Sequence, residues 1–381
     1  MQENNKIKVL QILYGGKKLD GVQKQVIRFF ENIDKEKFSF DFAFCERRED
    51  SIFNDMDITK NANTIDLNAF IDGQGGYKSY IRMYSNLSQV LDENHYDIVH
   101  VNTGNIMTQF ICGLVLKRKN IKKRISHSHG SGGKGKKTAA KEFVKNCVRK
   151  YICTCYTDLW ACSREAGIQV FGEKGIKDPR FRIINNALDV EMFRYDPLRS
   201  KEVKEKYGVK DKKVFAFVGR LIDTKNVPYA ISVFKGIHEE KKDSVFWVIG
   251  DGNVRGEVEK RIEECGLADS VKMWGEVDNV PELMRAIDVL IFPSKYEGLS
   301  LVVVEALAAG EYVYCSDTIS KEHEVINRIK FLPLDKDPSY WAQVILNDYD
   351  NLIKIDTVEG MAEGGYDIRK ATKELEKLYL D

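Results

Sequence analysis

The 381-residue chain is 43% hydrophobic and 31% charged, the balance of a soluble globular protein long enough for two cores. No apolar run approaches the roughly eighteen residues of a membrane span, no secretory core precedes the first apolar segment, and the eight cysteines lack the paired spacing of a disulfide frame or zinc site, so a cytoplasmic protein is expected. The net charge of +1 conceals an asymmetry: residues 1–195 hold 32 Lys and Arg against 23 Asp and Glu, and the rest 27 against 35, which predicts two domains with different partners.

Residues 7–13 read as a strand running into Tyr14-Gly15-Gly16 and Asp20-Gly21-Val22, followed by a helix with Val22, Val26, Ile27 and Phe30 on one face. A strand, a glycine-rich loop and a helix in that order predict a Rossmann-like half, while the missing Gly-x-Gly-x-x-Gly pattern argues against a bound dinucleotide. Strands are expected over 38–44, 63–67 and 97–102, with a helix over 77–91 before the last of them. A helix over 106–117 then leads to a strand over 124–128, ending in His127-Ser128-His129. Open α/β sheets bind ligands beyond the carboxyl ends of their strands, so His100, Asn102, His127 and His129 stand where a site is expected.

Residues 134–151 carry Lys134, Lys136, Lys137, Lys141, Lys145, Arg149 and Lys150, with Phe143, Val144, Cys147 and Val148 as an apolar face. A basic amphipathic helix of this kind suits an anionic membrane surface. Nucleic acid is disfavoured by the acidic second half and the lack of a binding motif, and a solvated face is the plainer alternative. A strand over 159–163 ends in Ser163, a cap for a helix from Arg164. A last strand spans 181–186, and Asp196-Pro197 marks the break within an interdomain connection over 187–200.

The alternation restarts with a strand over 214–218, a loop from Gly219 to Asn226 and a helix to His238. Strands over 245–249 and 271–274 end in Gly250-Asp251-Gly252 and Gly275-Glu276, and a helix over 281–287 follows. Val289-Leu290-Ile291-Phe292 is the continuous apolar run of a strand buried on both faces. It stops at Pro293, a polar loop carries Glu297 and Gly298, and a helix over 301–309 closes at Gly310. Such a turn presents backbone N–H groups at a helix N-terminus beside a glycine, a place suited to a phosphate. Glu297 in the loop and Glu305 one turn into the helix could face one ligand; a surface acid and a helix-flank acid is the alternative. A strand over 312–315, a polar helical tail and a C-terminal helix over 366–380 complete the chain.

Val218-Gly219-Arg220 with Lys225-Asn226, and the tract from Asn279-Val280-Pro281-Glu282-Leu283 through Phe292-Pro293-Ser294 and Glu297-Gly298 to Glu305-Ala306, resemble the donor site of family 4 retaining glycosyltransferases of the GT-B fold. Asp20-Gly21-Val22-Gln23, Asp97-Ile98-Val99-His100, His127-Ser128-His129, Ala161-Cys162-Ser163 and Ile184-Asn185-Asn186 are similar to that family's other landmarks. Ser316-Asp317-Thr318 with Lys321-Glu322 resembles the branch acting in bacterial exopolysaccharide or capsule assembly. The resemblance implies an α/β protein of GT-B architecture, two Rossmann-like domains facing across a donor cleft. Residues 1–190 would bind the acceptor and 191–365 the nucleotide-sugar, with the C-terminal helix over 366–381 returning to the first domain. It also implies a retaining, metal-independent transfer without a cofactor. The donor is a nucleotide-diphospho sugar, UDP-sugar favoured, and the acceptor a glycan or lipid-linked glycan at the inner face of a membrane.

By that resemblance the catalytic residues are Arg220 and Lys225, neutralising the donor diphosphate, Glu297, binding hydroxyls of the transferred sugar, and His129, touching that sugar in preference to His127. Gly219, Gly298, Leu299, Ser300 and Leu301 would border the donor phosphates, Glu305 would take the ribose hydroxyls, and Trp274 to Val277 would lie by the base, with Gly16 and Gly21 near the phosphates from the first domain. Three departures stand out. Leu299-Ser300-Leu301 follows Gly298 in place of the family's more usual aromatic and proline, neither of which backbone contacts need. Asp20-Gly21 replaces the family's usual glycine pair, and Asn185-Asn186 replaces Asn-Gly, a turn that asparagine's tolerance of left-handed geometry would preserve. No residue is placed as a covalent nucleophile, so front-face attack by the acceptor is implied, and glycosidase logic does not apply to Glu297 and Glu305. Two other classes are kept beside this one: a noncatalytic partner subunit of another transferase, and a nucleotide-sugar epimerase or phosphorylase on the same fold.

Overall fold

The structure is a computed structural model, and it describes residues 6–15, 21–46, 62–67, 69, 76–130, 139–297 and 299–381. Its contacts divide into two compact units, Met1–Asn186 with Ile368–Asp381, and Ala187–Asp367, against expected boundaries at 190 and 365.

In the first unit β1 (Ile7–Leu13), β2 (Phe38–Phe44), β3 (Asn63–Asp66), β4 (Ile98–Asn102), β5 (Lys123–Ser128), β6 (Asp158–Ala161) and β7 (Phe181–Ile183) form one parallel sheet in the order β3-β2-β1-β4-β5-β6-β7. Helices α1 (Gly21–Asn32), α2 (Tyr77–Glu93), α3 (Ile106–Arg118), α4 (Ala139–Cys155) and α5 (Arg164–Gly175) accompany it. The central strands are buried on both sides: Leu10, Ile12, Val99 and Val101 make one face apolar, while Gln11, His100 and Asn102 put buried polar groups on the other. Strand order reverses between β1 and β4, which makes their carboxyl ends a topological switch point.

The second unit repeats the plan with α6 (Pro197–Lys206), β8 (Lys213–Val218), α7 (Val227–Glu240), β9 (Ser244–Ile249), α8 (Arg255–Glu264), β10 (Val271–Gly275), α9 (Val280–Ala286), β11 (Val289–Phe292), α10 (Leu301–Ala308), β12 (Tyr312–Ser316), β13 (Ile329–Leu332), α11 (Pro338–Asp348) and α12 (Val358–Glu363). Its strands are parallel in the order β10-β9-β8-β11-β12-β13, so the switch point lies between β8 and β11. All four β11 residues are fully buried, and Phe292 stacks on Phe217 with ring centroids 6.0 Å apart. Burial of a side chain of this size stabilises the fold by about 1.5–3 kcal/mol. The apolar run therefore anchors the polar loop that follows it.

The C-terminal helix, α13 (Ile368–Leu380), packs on α1 and belongs to the first unit. Ile368, Thr372, Leu375 and Tyr379 form its buried stripe, one helical turn apart.

Three expectations change. Residues 187–200 are not a free connection: Val190–Phe193 form a 3-10 turn, and the Asp196 carboxylate accepts from the amides of Leu198 (2.9 Å) and Arg199 (3.2 Å). Asp196-Pro197 is thus the N-cap and first position of α6, where an acceptor is wanted and the missing proline N–H costs nothing. Neither Asn185 nor Asn186 is left-handed; the asparagine that takes that geometry in the second unit is Asn226, at φ 55°. The sequence reading also passed over β13, a four-residue strand, and α8, whose apolar stripe is only Val258 and Ile262.

Candidate functional site

The β8/β11 switch point collects most of the expected donor residues. Gly219 follows β8 at φ 143°, a conformation that side chains rarely permit. Its carbonyl oxygen lies where a Cβ on Gly250 would come within 2.0 Å, so the two backbones touch here because Gly250 has no side chain. Leu221 is buried and donates its amide to Asp251 (2.9 Å), which pins the loop beyond. Arg220 is exposed, and its guanidinium makes no ion pair or hydrogen bond among the described residues.

Two bonds carry the loop to its neighbour: the Thr224 carbonyl accepts from the Lys295 amide (2.7 Å) and the Ser294 hydroxyl (3.1 Å). Asn226, left-handed, then turns the chain into α7. The result is a direct ion pair between Lys225 Nζ and the Glu297 carboxylate, with the ammonium 4.7 Å from the centroid of the Phe292 ring. Their side chains are 14% and 21% exposed, so both charges sit in a partly dried setting. Two residues separated by 72 positions are thereby one ion pair.

Beyond Glu297, Leu299 packs into the core and Ser300 caps α10 without a side-chain bond. The Ser300 amide, expected to be free for phosphate, donates to His323 Nε2 (2.9 Å). His323 is fully buried, and its Nδ1 lies 2.8 Å from the Ser320 carbonyl, which only accepts. The ring therefore carries its proton on Nδ1 and uses Nε2 as acceptor. That leaves the amides of Leu301, Val302 and Val303 as the first-turn donors without an intrahelical acceptor. Glu305 stands one turn further on, half-buried. Sequence reasoning missed His323, because a lone histidine 23 residues from its partner has no periodic signature.

At the end of β10 the Trp274 ring is engaged elsewhere. It meets Tyr207 edge-on at 5.0 Å and Trp247 at 5.1 Å, and Lys272 Nζ sits 3.7 Å over it. Backbone at Gly275, and Val277, half-buried, are what the strand end offers.

In the first unit Gly15 takes φ 96°, and a Cβ there would lie 1.7 Å from the Glu46 carbonyl oxygen, so only glycine fits. Gly21 opens α1, exposed, with open space where a Cβ would stand. Gly16 and Gly298 lie outside the described residues, as do Lys134, Lys136 and Lys137. His129 is half-buried after β5, its Nε2 3.2 Å from Asn102 Oδ1 and its ring centroid 3.9 Å from that of His127. Burial lowers its pKa to about 3 and pushes His100 and His127 well below the usual range, so the three rings are neutral at pH 7. They are hydrogen-bonding groups there, not acids. Beside them Gly104 and Gly130 meet backbone to backbone, where a Cβ on Gly104 would come 2.4 Å from the Gly130 Cα.

Of the apolar face expected on α4, Phe143 and Val144 are 70% and 61% exposed and Cys147 is also exposed, while Val148 is half-buried against the core of the first unit. Arg149 is buried, paired with Glu142 (2.8 Å) and donating to the Gln169 carbonyl (3.1 Å). No helix among the described residues is long and apolar enough to cross a membrane. Among them, too, no group of three or more His, Cys, Asp or Glu is placed to hold a metal ion.

Residues 199–339 match the family described as Glycosyl transferases group 1. EpsF of Bacillus subtilis (strain 168), which carries the name of a glycosyltransferase, is 28% identical over 89% of this chain and 86% of its own length. The Escherichia coli enzyme named UDP-Gal:alpha-D-GlcNAc-diphosphoundecaprenol alpha-1,3-galactosyltransferase is 24% identical over 95% of this chain and 94% of its own. Among solved structures, Anabaena HepE in complex with UDP superposes with a TM-score of 0.74 at 15% identity, covering 98% of this chain and 99% of its own.

Proposed function

We propose, from the premise that this chain carries a Glycosyl transferases group 1 domain within a GT-B fold, that it moves a sugar from a nucleotide-diphospho sugar to a glycan or lipid-linked glycan acceptor in polysaccharide assembly. The observation that carries the reading is the convergence of Arg220, the Lys225–Glu297 pair and the N-terminus of α10 at one switch point. A leaving diphosphate gains charge as the glycosidic bond breaks, and fixed cations and amides aimed at that charge lower the barrier without needing a metal. Arg220, unpaired and exposed, is free to fork onto phosphate oxygens. Lys225 supplies a point charge whose position the Glu297 carboxylate sets, and Glu297 keeps a second oxygen for sugar hydroxyls.

UDP is the favoured nucleotide, supported by the UDP held by HepE and by the UDP-Gal donor in the E. coli relative's name; that name also supports a polyprenol-diphosphate acceptor. The transfer is retaining, with front-face attack by the acceptor hydroxyl. A cytoplasmic, membrane-peripheral location fits a lipid-linked acceptor and the exposed Phe143 and Val144 of α4.

Two measurements test the reading. Glu305→Ala should weaken UDP affinity by about 10–100-fold in titration calorimetry, the loss of a charge-assisted bond to ribose hydroxyls. Unchanged affinity defeats that role. Phe143→Ser combined with Val144→Ser should reduce co-sedimentation with anionic liposomes while leaving UDP binding intact; equal co-sedimentation leaves α4 as a solvated face.

A further inference from the structure

The first unit buries a run of hydrogen bonds whose proton directions follow from one backbone group. Asn102 Nδ2 lies 3.3 Å from the His100 carbonyl oxygen, which can only accept. Asn102 therefore points its amino group there and to Gln11 Oε1 (2.7 Å), and turns Oδ1 to His129 Nε2, which must carry the proton. Gln11, its oxygen used, donates Nε2–H to the Tyr379 hydroxyl (2.9 Å). The phenol is buried and protonated, and its own hydrogen has one acceptor among the described residues, His100 Nδ1 at 2.8 Å. His100 then holds its proton on Nε2 and gives it to His127 Nδ1 (3.1 Å). His127 is left with an N–H on Nε2, and His129 with a lone pair on Nδ1. Both atoms are buried without a partner among the described residues.

The His100 and His127 rings are close to coplanar, as an N–H···N bond between ring edges requires. His100 and His127 lie 5.2 Å apart and 10° from parallel, and Tyr379 is flanked by Trp160 at 6.1 Å and Phe38 at 5.8 Å. The adjoining cavity, lined in part by Gln11, Gln25, His127, His129 and Tyr379, is about 20 Å³. That is room for a water molecule, and the Tyr379 hydroxyl is itself taken up by Gln11 and His100.

We propose that Tyr379 is a positioning residue, whose hydroxyl locks His100, His127 and His129 in a single neutral tautomer set and so fixes the orientation of His129 at the end of β5. The C-terminal helix is then part of the working site of the first unit. The kinetic consequence rests on the transferase reading above, in which His129 is the histidine expected at the donor sugar; the tautomer assignment does not.

The test has two arms. Long-range nitrogen–proton spectra of the histidine-labelled wild-type chain should show His100 and His127 protonated on Nε2 and His129 on Nε2. A His100 ring protonated on Nδ1 overturns the proposal, whatever the protein catalyses. In Tyr379→Phe, which keeps the aromatic packing, His100 should become a tautomer mixture and kcat should fall about five- to tenfold, with KM for the nucleotide-sugar within about twofold. Unchanged tautomers and unchanged kcat overturn it. Should this variant not fold, the wild-type spectrum decides alone. A wild-type chain with the expected tautomers and no transfer from any nucleotide-sugar refutes the transferase reading and leaves the relay standing.

Discussion

Arg220→Ala is expected to lower sugar transfer by about 100–1,000-fold, the range seen when one preorganised donor to a developing negative charge is removed. Little stability should go with it, because the guanidinium is exposed and unpaired among the described residues. Lys225→Ala should lose as much turnover, but by a different route. Its removal strands the Glu297 carboxylate beside the incoming diphosphate, so repulsion adds to the lost attraction and UDP affinity should drop along with the rate. The double variant Lys225→Ala, Glu297→Gln should therefore recover part of the UDP affinity without recovering the rate. Initial rates with calorimetry on all three variants check this. Full activity in both single variants sinks the cation reading, and a double variant that binds UDP no better than Lys225→Ala sinks the repulsion.

His323→Ala is the second change with a large expected effect, and this time on the fold of the site. It leaves the Ser300 amide and the Ser320 carbonyl without their partner and opens a hole in a fully buried position. The expected cost is about 2–4 kcal/mol of stability in the second unit. With the loop before α10 no longer pinned, UDP should also bind more weakly. Urea unfolding followed by a probe in the second unit should show the midpoint fall; a midpoint that stays put means His323 is a bystander.

What could be read from the chain and what could not divide along a physical line. The β11 run, its stop at Pro293 and the helix after Ser300 are local patterns of hydrophobicity and turn chemistry, and they stand where periodicity put them. Arg220, Lys225 and Glu297 are assigned by family resemblance, the cations to the diphosphate and Glu297 to sugar hydroxyls, but the contact between Lys225 and Glu297 depends on Thr224 being tied to Ser294 and Lys295, a long-range event. His323 was invisible for the same reason. Asp196-Pro197 misled because its two residues signal a break and a helix start alike, and only the pairing with Leu198 and Arg199 distinguishes them. Trp274 shows a third limit: the resemblance places Trp274 to Val277 by the base, but no local pattern reports that the indole packs edge-on against Tyr207. For the histidines, sequence position gave the right strand ends, while neutrality came from burial that no local pattern reports.

The chain leaves its first unit after Asn186 and re-enters it at Ile368, and Tyr379 there bonds Gln11 across 368 positions. On the ribosome this inverts the usual order, in which the N-terminal domain finishes first. The second unit is contiguous and can close as soon as it emerges. The first must wait, with the part of α1 that α13 covers still exposed, until residues 368–380 emerge. Chains stalled before that point have the second unit complete and the first still open, with apolar surface exposed of the kind that drives aggregation.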